Sequence, residues 1–400
     1  MRNSVCIVIL ITRLNCLGQF NLVPNGSFET YTSCPSTTNQ LPKAMGWINP
    51  TSSGSPDYYN GCSSFISVPY CGGTPCFQYA KAGIAYSGVY GYDGLASNLR
   101  EYAQIQLSTS LTNGKCYFVG FYTNEANWCG LGCNNLGAYL SNNQINLTGP
   151  SWLLNYPTQI KGFGNKINRD TLNWNFIGGI FQATNNEQYI TIGNFNTDAT
   201  TDTLTFNSSA VAPKYAYYYI DDVFVIPIDS IPGGMPAFAG NNVTINSGDS
   251  AFIGQQISNL NCNWYNGTVQ IATNTSGLYV KPVTTTTYVV QQNLCGNITN
   301  DTVVVTVGGL GIKDDAPIAI GIRISPNPNN GILNVEILND EFKIEDAELR
   351  IVNVLGQEIK RYKLQNKKQQ IDLQEIEGGM FYLHLQKFGK TISAKKIVKL

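Results

Sequence analysis

Along most of the chain, apolar and polar residues alternate in short runs: REYAQIQLS, KCYFVGFYTN, LGAYLS, EQYITIGNF and YAYYYIDDVFVI. A period of two marks a strand with one face buried. Each run is rich in Tyr, Val, Ile and Phe and is bounded by Gly, Asn, Pro and Ser, residues that turn a chain. The spacing of three to four that marks an amphipathic helix is nearly absent before residue 340. Many short strands separated by turn signals predict an all-β protein made of sandwiches or barrels.

The runs fall into three groups. Residues 19–227 predict a large sandwich, and SIPGGMPAF makes 228–236 a Pro/Gly linker. Residues 237–308 carry a second strand set in which Trp264 lies beside Cys262 and another cysteine, Cys295, follows. That pattern predicts a small immunoglobulin-like sandwich. A linker at 309–319 leads to residues 320–400, whose alternating runs predict a small C-terminal β-sandwich. Charge supports this last boundary. Residues 19–235 hold 8 Lys+Arg and 12 Asp+Glu, residues 236–309 hold 1 and 2, and residues 310–400 hold 14 and 12. Net charge is only -1, so no global field attracts nucleic acid. Residues 1–18 predict a signal peptide. Arg2 precedes an apolar run at 5–11, and Cys16 and Gly18 stand at -3 and -1 of a cut before Gln19. That run is too short to span a bilayer and no other segment approaches the length, so no transmembrane segment is expected.

Export permits disulfides. Of 11 cysteines, Cys6 and Cys16 lie in the leader. Cys262 and Cys295 stand alone in the second segment and are expected to pair. Cys116, within a strand pattern, is expected as a free core thiol. Cys34–Cys62, Cys71–Cys76 and Cys129–Cys133 then use up the rest, although spacing leaves connectivity open. A zinc site would need paired knuckle spacings or histidine, and neither is present.

His384 is the only histidine, so residues 1–383 hold no Ser-His or Cys-His pair and no histidine-based metal site. Carboxylates are plentiful, and a glycosidase would need two flanking a cleft. Asn194, Asn196, Asp198 and Asp202 form an oxygen-rich stretch that reads as a solvated loop. A sugar site would need exposed aromatics beside polar groups. Tyr92, Trp128 and Trp152 lie in loop-like stretches and are the candidates, whereas Trp47 reads as core.

Three motifs in the last segment occur in order: Pro326-Asn327-Pro328, then Asn353-Val354-Leu355-Gly356-Gln357, then Gly379-Met380-Phe381-Tyr382 with a terminal strand bearing Lys395, Lys396 and Lys399. Together they resemble the type A C-terminal sorting domain of the Bacteroidota type IX secretion system. The resemblance implies export through the periplasm to a secreted or surface location, with the secretion machinery and surface lipopolysaccharide as partners.

The first segment opens NLVPNGSFE and closes YYYIDDVFV. This bracket resembles the jelly-roll carbohydrate-binding modules with a galactose-binding-like fold. The resemblance implies a structural Ca2+ held by Glu29 and Asp221, with Asp222 as a further ligand. The second segment resembles immunoglobulin-like spacers of bacterial surface proteins. The expected function is non-catalytic recognition or adhesion, with a glycan as the first candidate ligand. The alternatives are a carbohydrate-active hydrolase using paired carboxylates in the first segment and a purely structural surface component.

Overall fold

The computed structural model describes residues 20–71, 76–205, 214–308, 321–339, 342–353, 357–388 and 390–400. The leader expected at 1–18 and the linker expected at 309–319 lie outside the described residues. The chain divides into two compact units, residues 1–308 and 309–400.

The first unit begins with a jelly-roll sandwich of two five-stranded sheets. The first sheet runs in the order Trp47–Ile48, Tyr102–Gln106, Tyr189–Asn194, Leu136–Ser141, Ile160–Lys161. The second runs Asn175–Gln182, Cys116–Glu125, Tyr215–Pro227, Ala85–Asp93, Asp57–Asn60. All pairings are antiparallel. Alternation explains the core between the sheets. Val119, Phe121, Tyr218, Ile220 and Val225 of the second sheet meet Ile105, Ala138, Leu140, Ile190 and Ile192 of the first, all buried. Trp47 joins this core, stacked on Phe28 with ring centroids 4.4 Å apart.

The immunoglobulin-like sandwich follows. Its larger sheet has the order Val243–Asn246, Asn297–Gly308, Thr286–Leu294, Asn261–Asn266, Val269–Ala272, and the first pair is parallel. Ala251–Gly254 and Gly277–Val280 form the facing pair. Trp264 is fully buried at its centre, and its indole N–H donates to Thr275 O at 2.9 Å.

The residues expected as a linker are packed, not free. Ile231 and Met235 are buried in one cluster with Phe118, Ile180, Phe224 and Ile226 of the jelly roll and Trp264 and Val290 of the immunoglobulin-like fold. Ile180 N donates to Ser258 O at 3.1 Å and Ser258 N to Gly178 O at 2.9 Å. A Cβ at Gly179 would lie 2.2 Å from Ser258 Oγ, so glycine is needed where the two backbones meet.

The second unit is a three-stranded sheet, Ile322–Ser325, Ile332–Ile337, Lys368–Asp372, and a four-stranded sheet, Glu358–Lys363, Ala347–Asn353, Gly379–Lys387, Lys390–Lys399. Leu333, Leu349, Ile351, Leu383, Leu385 and Ile397 are fully buried in its core. The protein is therefore all-β: jelly-roll, Ig-like and small C-terminal β-sandwiches in tandem.

Candidate functional site

The candidate region is the outer face of the second jelly-roll sheet. Strand Tyr215–Pro227 decides what it presents. Tyr218 and Ile220 point into the sandwich, while Tyr217 and Tyr219 point outward. The register shifts between Asp221 and Phe224, with Asp222 at φ 49°. After this bulge Val223 and Val225 face inward and Phe224 and Ile226 outward. The outer face thus has two halves. The Phe224 half is covered by the immunoglobulin-like sandwich. The tyrosine half, with Tyr59, Tyr86, Tyr217 and Tyr219, is covered by the described residues of 61–71 and 76–84, from which Ile66 and Cys76 pack onto it.

Glu29 and Asp221 hold the return of that covering segment. Glu29 Oε1 accepts N–H groups from Ile84 and Ala85, both at 2.9 Å. Asp221 Oδ2 accepts from Lys81 N at 2.7 Å and Ala82 N at 3.2 Å, and its Oδ1 from Asp222 N at 2.7 Å. Gly83, at φ 68°, lets the loop close over Glu29, since a Cβ there would sit 2.3 Å from the carboxylate carbon. Burial raises the pKa of Glu29, Asp221 and Asp222, and the Asp222 charge adds to the rise at the other two. For a calcium ion, the donor set is partly spent on these N–H groups, and no group of three or more His, Cys, Asp or Glu suited to a metal occurs among the described residues.

Three further acids lie near the tyrosine half, none of them singled out by the strand pattern. Asp57 accepts from Tyr217 OH and from Asn39 N, and burial raises its pKa. Glu101 accepts from Ser55 N at 3.0 Å, Ser55 Oγ at 2.6 Å and Tyr90 N at 3.1 Å, and burial pushes it up to about 7. Glu125 is fully buried, neither oxygen has a partner among the described residues, and burial pushes it up to about 9. An unpaired carboxyl is tolerable there because it stays protonated at neutral pH.

The aromatic candidates do not converge. Tyr92 packs against the main core, with the Arg100 guanidinium 5.3 Å over its ring. Trp128 is half-buried against Tyr215 and Tyr217, at 5.2 and 5.5 Å between centroids. Trp152 is half-buried in a loop beyond the first sheet. Among the described residues of the jelly roll, the most exposed rings belong instead to the covering segment: Tyr70 at 67%, Tyr79 at 64%, Phe65 at 46% and Phe77 at 40%. In the sequence, the hairpin that carries Tyr70 and Phe77 stands out only for its cysteines. The oxygen-rich stretch is organised by a residue that sequence reasoning missed. Arg100, with a fully buried side chain, donates to Asp198 Oδ1 at 2.8 Å, Asn196 O at 3.1 Å and Leu99 O at 2.8 Å. These oxygens meet a guanidinium, the geometry for which its fork of donors is built.

The cysteines depart from expectation at two places. Cys34–Cys62 is bonded as expected. Cys76 is also disulfide-bonded, and the backbone register sets it opposite Cys71, whose side chain lies outside the described residues. Cys129 and Cys133, however, are free and buried. Cys129 packs with the outward Tyr217 and Tyr219, while Cys133 packs in the inner core beside Tyr218, so the two thiols occupy opposite sides of one sheet. Cys262 is likewise free, and Cys295 bonds Cys116. Cys262 lies opposite Gln292 in the ladder, whereas Cys295 sits at φ 53° in the tip of the hairpin joining Thr286–Leu294 to Asn297–Gly308. The tip projects toward the jelly roll, not into the sandwich.

In the second unit the sorting motifs meet. Asn327 Nδ2 donates to Lys396 O at 2.9 Å, and Val398 N donates to Asn327 Oδ1 at 2.8 Å. The turn bearing Pro326 and Pro328 is thereby tied to the terminal strand. Gly379 pairs with Lys399, whose ammonium donates to the carbonyls of Gln374 and Ile376. Lys395 and Lys396 are exposed. Gly356 lies outside the described residues.

Residues 323–399 match the family model described as "Secretion system C-terminal sorting domain". No curated protein matches the chain significantly. Among solved structures, a putative sugar binding protein from Bacteroides thetaiotaomicron is 13% identical with TM-score 0.24, the match covering 52% of this chain and 99% of that one. The CBM22-1–CBM22-2 tandem domain of Paenibacillus barcinonensis Xyn10C is 9% identical with TM-score 0.27, covering 92% and 85%. A structure titled "CBM4 structure and function" is 14% identical with TM-score 0.24, covering 51% and 99%. No helix among the described residues is long and apolar enough to cross a membrane. The C-terminal sandwich is a sorting domain of the secretion-system type, and it implies export followed by release or attachment at the cell surface.

Proposed function

We propose that the exported body is a non-catalytic recognition protein whose jelly roll takes a glycan, with the secretion machinery as its partner in transit. The observation that carries this reading is the contrast between committed acids and displayed rings. Glu29, Asp57, Glu101 and Asp221 are each bonded to main-chain or side-chain donors, and the last three are buried. Tyrosine and phenylalanine rings, by contrast, stand exposed on the covering segment. Binding of the purified chain to immobilised glycans, with reducing-end release followed in parallel, tests the reading. Retention without release supports it, and release at enzymatic rates ends it.

A hydrolase reading draws on one observation, the coupling of Asp57 and Glu101, since Asp57 contributes to the raised pKa of Glu101. Loss of bond cleavage in Glu101→Gln would favour it. For Glu29 and Asp221 the proposed role is to hold the covering segment. A calcium ion shared with Asp222 is the competing proposal, and a chelator discriminates. Unchanged melting supports the holding role, and a lowered melting temperature supports the ion.

A further inference from the structure

We infer that the exposed rings of Tyr70, Phe77 and Tyr79 form a contact surface for the ring faces of a neutral oligosaccharide; this rests on the recognition reading and gives it a place. The three rings touch in series, Tyr70 to Phe77 at 5.0 Å and Phe77 to Tyr79 at 5.2 Å between centroids. They stand on a short hairpin in which Tyr70 pairs with Phe77. The hairpin is fixed from below. Gln78 N donates to Pro69 O at 2.9 Å, Tyr86 OH donates to Gln78 O at 3.1 Å, and the Trp174 indole donates to Tyr79 O at 3.0 Å. Cys34–Cys62 anchors the root of the segment and a second disulfide holds Cys76. Rings held this way lose little conformational freedom when a ligand arrives.

The chemistry of the occupant follows from what surrounds the rings. Residues 61–80 contain no Asp, Glu, Lys or Arg. The next charged side chain, Lys81, is placed over the Tyr122 ring at 4.5 Å. Asp221, beneath the loop, is buried and bonded to main-chain N–H groups. Residues 61–80 themselves therefore offer an ionic ligand no counter-charge. A pyranose ring has an apolar C–H face and a hydroxyl rim, which suits aromatic faces with phenol hydroxyls at their edge. The tyrosine half of the sheet below is already roofed, so on this side of the jelly roll the roof itself is the accessible aromatic surface.

The test titrates the full chain with cellohexaose, xylohexaose and mannohexaose, then repeats the titration with Tyr70→Ala/Phe77→Ala/Tyr79→Ala and with the lighter pair Tyr70→Ser/Tyr79→Ser. The expected result is binding of at least one sugar by the parent chain, a loss of tenfold or more in both variants, and an unchanged unfolding midpoint. Equal binding by parent and variants overturns the surface and leaves the recognition reading standing. No binding by the parent chain overturns both. Concentration-dependent self-association that the substitutions abolish identifies a second copy as the occupant and overturns the sugar assignment.

Discussion

The jelly roll and the C-terminal sandwich are both antiparallel and both pack two sheets, yet they place charge in opposite ways. In the jelly roll several acids lie inside. Asp57, Glu101, Glu125 and Asp221 are buried, and burial raises the pKa of each. In the C-terminal sandwich the charges lie outside and pair with one another. Arg361 bridges Glu348 and Glu358, Arg350 joins Glu358 at 2.5 Å, and Glu336 takes Arg323 and Lys368. These partners pull Glu336 down and Glu358 down to about 2. One architecture therefore serves two surfaces. One draws part of its charge into the interior and displays aromatic rings. The other is a lattice of exposed ions on the sorting domain.

The contrast can be broken experimentally, and one reporter separates the halves. All five tryptophans lie between residues 47 and 264, so indole fluorescence follows the first unit alone. The largest effect is expected from Arg100→Ala. It leaves Asp198 and the Asn196 carbonyl without their buried cation, a loss of roughly 3–5 kcal/mol in denaturant titration. Next comes Cys116→Ser/Cys295→Ser, expected to cost roughly 2–4 kcal/mol. It also tests whether the two sandwiches of the first unit then melt separately. Two indole transitions in place of one would show that the cross-link couples them.

The pH dependence should have opposite sign in the two units. Glu101 and Glu125 have folded values of about 7 and about 9 against 4.5 for the free side chain. The folded state therefore holds protons that the unfolded state releases. The stability they contribute is complete below about 4.5 and is lost as pH rises through 7 and then 9. Glu125→Gln should flatten the upper part of that decline. In the C-terminal unit, Glu358 contributes stability above about 4.5 that is lost as pH falls toward 2. The smallest effect is expected from Arg361→Ala, a slight shift in the C-terminal transition that added salt erases. A large, salt-insensitive loss would mean that its lattice is structural.

The strand pattern carried the fold because a two-residue period is local. The sorting motifs were legible for the same reason, since each is a turn or strand end written in a few adjacent residues. What escaped was set by distance along the chain. Arg100 and Asp198 are 98 residues apart, and nothing beside Arg100 marks it as buried. Strand position did not show which way Cys295 faces, because it sits in the left-handed tip of a hairpin. The string YAYYYIDDVFVI announces outward tyrosines but not their cover, which arrives from residues 61–71 and 76–84. Tyr92, Trp128 and Trp152 looked accessible because loops usually are. Arg100 claims the first, and Tyr215 and Tyr217 pack against the second.

The bond between Cys116 and Cys295 joins positions 179 apart in sequence. A protein displayed outside a cell meets proteases, and their preferred targets are loop tips such as those between these positions. One nick anywhere from residue 117 to residue 294 opens the chain but detaches nothing, because the bond still holds both fragments. The aromatic hairpin lies outside that stretch, on the N-terminal fragment, and a nicked molecule would keep it tethered to the part of the protein that carries the sorting label.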